Sequence, residues 1–164
     1  MSNLKTKLNI DAVGRVCVTV ADTDRAIDFY VDSLGFEKVV DVPMGPDMRW
    51  VEVALPGTKT TIALAPPPPD QKAGGGQTGI CLDTSDVDAD HAALKEAGID
   101  VDNEVTRYGD PVPPMFWLRD PDGNSLIVVH RRTERRLTGG RRGMPPAPGP
   151  HWHARWASER KGAR

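Results

Sequence analysis

The sequence predicts an α+β domain of two tandem βαβββ modules, whose strands form a curved mixed sheet with a concave cup. Three observations carry this prediction. A strand-like run from Val16 to Val20 leads to Asp22, a helical stretch and Gly35, and a second run from Gly79 to Leu82 leads to Asp86, a helical stretch and Gly98. The spacings agree, with 64 residues between the two aspartates and 63 between the two glycines. Finally, Asp120-Pro121-Asp122-Gly123-Asn124 is a hairpin signal, since Gly and Asn tolerate positive φ and Pro pre-sets a turn. Duplicated units paired in this way make a concave, roughly two-fold surface suited to a small molecule.

Residues 1–12 are polar and without clear period, and read as an N-terminal arm. Val16, Val18 and Val20 then alternate with Cys17 and Thr19 at strand period, so Arg15, Cys17 and Thr19 turn toward the cup. Asp22 supplies an N-cap oxygen, and Ala26, Ile27, Phe29, Tyr30 and Leu34 recur at helical spacing, predicting a helix over Thr23 to Leu34 with Gly35 as its left-handed cap. Strands follow at Phe36 to Val42, Met48 to Leu55 and Thr60 to Ala65. Pro66 to Pro69 cannot form a ladder, and Gly74-Gly75-Gly76 follows, so residues 66–76 are a linker closing the first module, 13–65. In the second module, 77–130, Asp86 caps a helix over Val87 to Ala97 with Ala89, Ala93, Leu94 and Ala97 as its apolar stripe. Val101 to Thr106, Met115 to Arg119 and Ser125 to His130 are its remaining strands.

The chain has 164 residues and a net charge of −2, but the charge is unevenly divided. Residues 1–130 hold 11 Lys and Arg against 21 Asp and Glu, whereas residues 131–164 hold 10 against 2. An acidic body disfavours nucleic acid as its partner and favours a cationic ligand; only the basic tail keeps a nucleic-acid or acidic partner open. That Pro-, Gly- and Arg-rich tail buries too little apolar surface to offset its ordering entropy, and is expected to be mobile. No apolar run is long enough for a membrane span and no apolar leader is seen, so the cytoplasm is expected, with Cys17 and Cys81 reduced.

The two βαβββ units, Phe29-Tyr30 after Asp22, Leu34-Gly35-Phe36 and the Asp-Pro-Asp-Gly-Asn hairpin together resemble the vicinal oxygen chelate superfamily over about residues 13–130. That superfamily includes glyoxalase I, extradiol dioxygenases, methylmalonyl-CoA epimerase, and the bleomycin and fosfomycin resistance proteins. The resemblance implies a homodimer and, in its enzymes, one divalent metal held by His, Gln and Glu. Mapped from the Asp anchors, those ligand positions fall on Arg15, Ala63, Gly79 and Ile127, none of which ligates a metal. No cofactor is therefore expected, and the chain resembles the metal-free bleomycin-resistance branch. A protein that sequesters a cationic or planar organic ligand in its cup is the expected function. The alternative is a glyoxalase- or dioxygenase-type enzyme with an unusual or absent metal.

Several residues are candidates for the cup. Arg15 offers a counter-charge to an anionic ligand or a salt bridge to an acid. Trp50, Trp117, Phe116 and Tyr108 lie on or near strands and can stack on a planar ligand or fill the core. Glu52, flanked by Val51 and Val53, is a cation anchor or, with a raised pKa, a general base; otherwise it faces outward. Tyr108 is the other acid–base candidate. Cys17 and Cys81, also 64 residues apart, are a thiol pair facing the cup or two small buried side chains. His91 and His130 lack a partner at ligand spacing, and His151-x-His153 beside Trp152 and Trp156 is a weak metal motif in the tail.

Overall fold

In a computed structural model of the protein, residues 9–46 and 48–132 are described. The tail motifs, including His151, His153, Trp152 and Trp156, lie outside the described residues, as do residues 1–8 of the arm. The order is β1 (Arg15–Thr19), α1 (Thr23–Ile27), a π-helical turn (Asp28–Ser33), β2 (Glu37–Gly45), β3 (Met48–Ala54), β4 (Thr61–Ala65), β5 (Gln77–Thr84), α2 (Val87–Glu96), β6 (Met115–Arg119) and β7 (Ser125–His130).

Both helix starts follow from their aspartates. Asp22 Oδ1 accepts from the amides of Asp24 and Arg25 at 3.0 and 3.1 Å, and Asp86 Oδ1 accepts from Ala89 at 3.0 Å. Gly35 and Gly98 then close the helices at φ 73° and 77°, a conformation that costs a residue with a Cβ about 1–2 kcal/mol. The first helix differs from expectation in widening into a π turn, which aims both Phe29 and Tyr30 inward, ring edge to ring face with centroids 5.4 Å apart. In α2 the inward stripe is Val87, His91 and Leu94, while Ala89, Ala93 and Ala97 are exposed. An imidazole can face a core when its polar atom has a partner. His91 Nε2 lies 2.7 Å from the Asp102 carbonyl, and its ring meets Phe116.

The strands form two sheets rather than one continuous sheet: β1-β4-β3-β2 and β5-β7-β6. Each is mixed, with β1 parallel to β4 and β5 parallel to β7, the other pairs being antiparallel. The expected strand Val101 to Thr106 is reduced to two isolated bridges, Val101 to Leu118 and Thr106 to Met115. Its ladder is interrupted because the Asp102 carboxylate, not a backbone carbonyl, takes the Trp117 amide at 3.2 Å.

Alternation along the strands divides core from face. Val18, Val20, Val51, Val53, Ile62, Leu64, Phe116, Leu118, Leu126 and Val128 point inward to one hydrophobic cluster with Ala26, Phe29, Tyr30 and Phe36. At roughly 1.5–3 kcal/mol for each buried large side chain, this cluster is the main stabilising term.

The β6–β7 hairpin fastens the two halves of the described chain together. Asp120 and Asn124 are buried, and Asp120 Oδ1 accepts from the amides of Asp122 and Asn124, making the turn its own hydrogen-bonded ring. Asn124 Nδ2 donates to Asp120 and to the Thr19 carbonyl at the end of β1. Asp122 accepts from the Ala21 amide at 3.1 Å and pairs with Arg25 on α1. The glycines of the linker are fitted against the same turn: Gly75 N donates to the Asp122 carbonyl, and a Cβ on Gly74 would lie 1.9 Å from that oxygen.

Candidate functional site

Register assembles one open face from the side chains that alternate away from the core. Arg15 pairs with Thr61, Cys17 with Ala63, Ala63 with Glu52, Glu52 with Val40, and Trp50 with Val42, so these residues share one side of the first sheet. On the second sheet Cys81 and Trp117 both align with Ile127, and Gln77, Gly79 and Asp83 follow the Cys81 side of β5.

At the centre of the first face is a closed network. Glu52 Oε1 accepts from Trp50 Nε1 at 2.7 Å and lies 3.1 Å from Arg15 Nε, while Oε2 accepts from Thr61 Oγ1 at 2.6 Å. The small side chain of Ala63, fully buried, leaves room for this carboxylate between β1 and β3. Glu52 is therefore buried rather than outward-facing, which its partners make possible: two neutral donors and one cation compensate its lost hydration. The hydrogen bonds from Thr61 and Trp50, with the Arg15 charge adding to them, hold its carboxyl below the usual carboxylate range despite burial. This reverses the expectation of a raised pKa, and leaves Glu52 a poor general base.

Other expectations separate here. Arg15 makes the salt bridge and also remains 58 % exposed in its side chain, against 6 % for Glu52. Cys17 and Cys81 are both free thiols and both exposed, contrary to a buried reading, because they stand on the open faces. Thr19 is half-buried, its hydroxyl accepting from the Gly74 amide at 3.4 Å. Trp117 is half-buried, whereas Phe116 points into the core. Tyr108 stands in the loop before β6, 60 % exposed, and is not among the partners of Glu52.

The mapped metal positions do not fit a metal. Arg15 occupies β1, Ala63 β4, Gly79 β5 and Ile127 β7, and none of them carries a ligating group. Among the described residues, no three His, Cys, Asp or Glu side chains converge as a metal ion would require.

A groove of about 250 Å³ lies beside these faces rather than on them. Its walls include Val16, Ile62, Ile80 and Leu82, with Thr58, Lys59 and Thr60 at its edge. It shares only Thr61 and Cys81 with the open faces, and contains neither tryptophan. No helix among the described residues is long and apolar enough to cross a membrane.

The hairpin residues carry a local turn signal, but the burial of Asp120 and Asn124 and the partners of Asp120, Asp122 and Asn124 are not encoded in it. Those contacts join residues as far as 105 positions apart, so no local pattern carries them.

Comparison with known proteins agrees with this architecture. A solved structure of a glyoxalase/bleomycin resistance protein/dioxygenase superfamily member from Sphaerobacter thermophilus DSM 20745 is 40% identical, covers 76% of this chain and 100% of that one, and superposes with a TM-score of 0.67. TnmS3, an antibiotic binding protein from Streptomyces sp. CB03234, is 35% identical, with 77% of this chain and 100% of that one covered and a TM-score of 0.66. The uncharacterized protein YetH of Bacillus subtilis is 27% identical over 124 residues, which are 73% of this chain and 98% of that protein. The family model for this superfamily matches residues 12–128, most of the two-sheet region, and the chain belongs to the Glyoxalase/Bleomycin resistance protein/Dioxygenase superfamily.

Proposed function

We propose that this protein binds a planar organic molecule on the open faces of its two sheets and holds it chemically unchanged, without a catalytic metal. The observation that carries the reading is the face around Glu52. Trp50 offers a flat apolar surface there, and the nearest carboxylate is held ionised and fully hydrogen-bonded instead of poised to move a proton. The likeness to an antibiotic binding protein, 35% identical and covered along its whole length, supports capture over chemistry. Of the two ligand chemistries expected from the sequence, we retain the planar one, because Arg15 already neutralises the buried carboxylate that would have anchored a cation.

The second part of the proposal is a homodimer in the cytoplasm. Strands β1 and β5 are each at an edge of their sheet, and Cys17 and Cys81 on them are exposed. Covering these faces against another copy would remove apolar surface and close a cup around the ligand. A thermal-shift screen of the full-length protein against planar aromatic antibiotics, followed by mass spectrometry of the recovered compound, tests the reading. Stabilisation with recovery of intact compound is expected; conversion of the compound would favour an enzyme.

A further inference from the structure

We infer that Arg15 is the ligand-orienting group of this face, taking a carboxylate or another anionic, planar oxygen acceptor on the bound molecule. The inference rests on the proposed small-molecule binding and names the ligand class. A guanidinium carries five N–H donors in a fixed fork. Among the described residues the one side-chain partner of Arg15 is Glu52, reached through Nε, and neither terminal nitrogen has an acceptor among them.

Glu52 acts as the brace. Both of its oxygens are engaged, one by Arg15 and Trp50 and the other by Thr61, so the carboxylate is fixed from three strands and has little capacity left for a ligand cation. The pair is asymmetric in exposure, with the guanidinium 58 % exposed and the carboxylate 6 %. What the face presents to an incoming molecule is therefore the positive member of a neutral pair, already oriented, so that less side-chain freedom is lost on binding. Trp50 shares Glu52 with Arg15, which places a flat apolar surface beside the donor fork. A ring on the indole with an acidic oxygen on the fork satisfies both.

Three naphthalenes of similar size test this: 2-naphthoate, 2-naphthamide and 2-naphthylmethylammonium, titrated into the full-length protein by calorimetry at fixed salt. The naphthoate is expected to bind about tenfold or more tighter than the ammonium, in line with charge-assisted hydrogen bonds. Arg15→Gln should abolish that preference and leave the amide within about twofold, while Arg15→Lys, a point charge without the fork, should restore only part of it. Equal binding of anion and cation, or an equal loss of all three probes in Arg15→Gln, would overturn the inference while leaving small-molecule binding intact. Failure of all three to bind the unaltered protein would overturn both. Thermal unfolding of each variant separates a lost contact from a lost fold.

Discussion

The hydroxyl of Tyr30 donates to the carboxylate of Asp120 across 3.3 Å, joining residues 90 positions apart inside the core. Tyr30 belongs to the π turn after α1 and Asp120 to the hairpin between β6 and β7, so one hydrogen bond ties the first half of the chain to the last. Burial is the larger cause, and the neighbouring Asp120 charge the second, by which the phenol is pushed above its ordinary value of 10.0.

Tyr30→Phe is therefore expected to cost about 1.5–3 kcal/mol by urea unfolding, the range for a hydrogen bond to a charged group. The native protein should also lose stability as pH rises above about 10, because the unfolded phenol ionises there while the folded one stays protonated. Tyr30→Phe should flatten that alkaline decline; an unchanged slope would place its origin elsewhere. Asn124→Ala removes the bonds to Thr19 and Asp120 together and should cost more, about 2–4 kcal/mol.

Gly74 and Gly57 separate two reasons for a glycine. Both have positive φ, but a Cβ on Gly57 meets nothing within 4 Å, whereas on Gly74 it meets the Asp122 backbone. Gly57→Ala should cost about 1–2 kcal/mol from conformation alone. Gly74→Ala should exceed it, since the obstruction is backbone that cannot swing aside. Equal costs in denaturant titrations would mean that the linker yields.

Much of this architecture was legible in the sequence because its signals are local. Asp22 and Asp86 cap their helices, Gly35 and Gly98 end them, and β6 and β7 occupy the expected residues. What was hidden depends on partners distant in sequence. Glu52 reads as an isolated carboxylate between valines until β1 brings Arg15 and β4 brings Thr61 beside it. His91 reads only as a histidine without a partner at ligand spacing until Asp102 and Phe116 surround it, and Asp102 interrupts a strand whose composition is otherwise permissive. Alternation in β1 alone turns Arg15 and Cys17 to one strand face, whereas Trp50 and Glu52 keep several readings in the sequence and none of their hydrogen bonds is legible there.

Glu52 gives an acid-side prediction. Its folded carboxyl lies below the ordinary value of 4.5, so its contribution is present above that value and is lost as pH falls through the lower folded one. Glu52→Gln should cost about 1.5–3 kcal/mol at neutral pH, the range for hydrogen bonds to a charged group. It should also flatten the loss of stability below pH 4.5, read from denaturant midpoints across pH. An unchanged acid slope would mean that other carboxylates dominate it.

Elemental analysis of untagged protein should find no stoichiometric divalent metal bound to the two-sheet region, since Arg15, Ala63, Gly79 and Ile127 offer no ligands. About one Zn, Ni, Fe or Mn per chain, surviving dialysis and unaffected by changing His151 and His153, would contradict this.

Capture of a planar ligand on the tryptophan-bearing faces is tested most directly by calorimetric titration of the tightest compound from the antibiotic screen into the unaltered protein, Trp50→Ala and Trp117→Ala, with the ligand weighed afterwards by mass spectrometry. Each substitution is expected to weaken binding by about tenfold, the effect of losing an aromatic contact, and the ligand mass is expected to be unchanged. Affinity indifferent to both substitutions, or a ligand returned as a reaction product, would contradict the account.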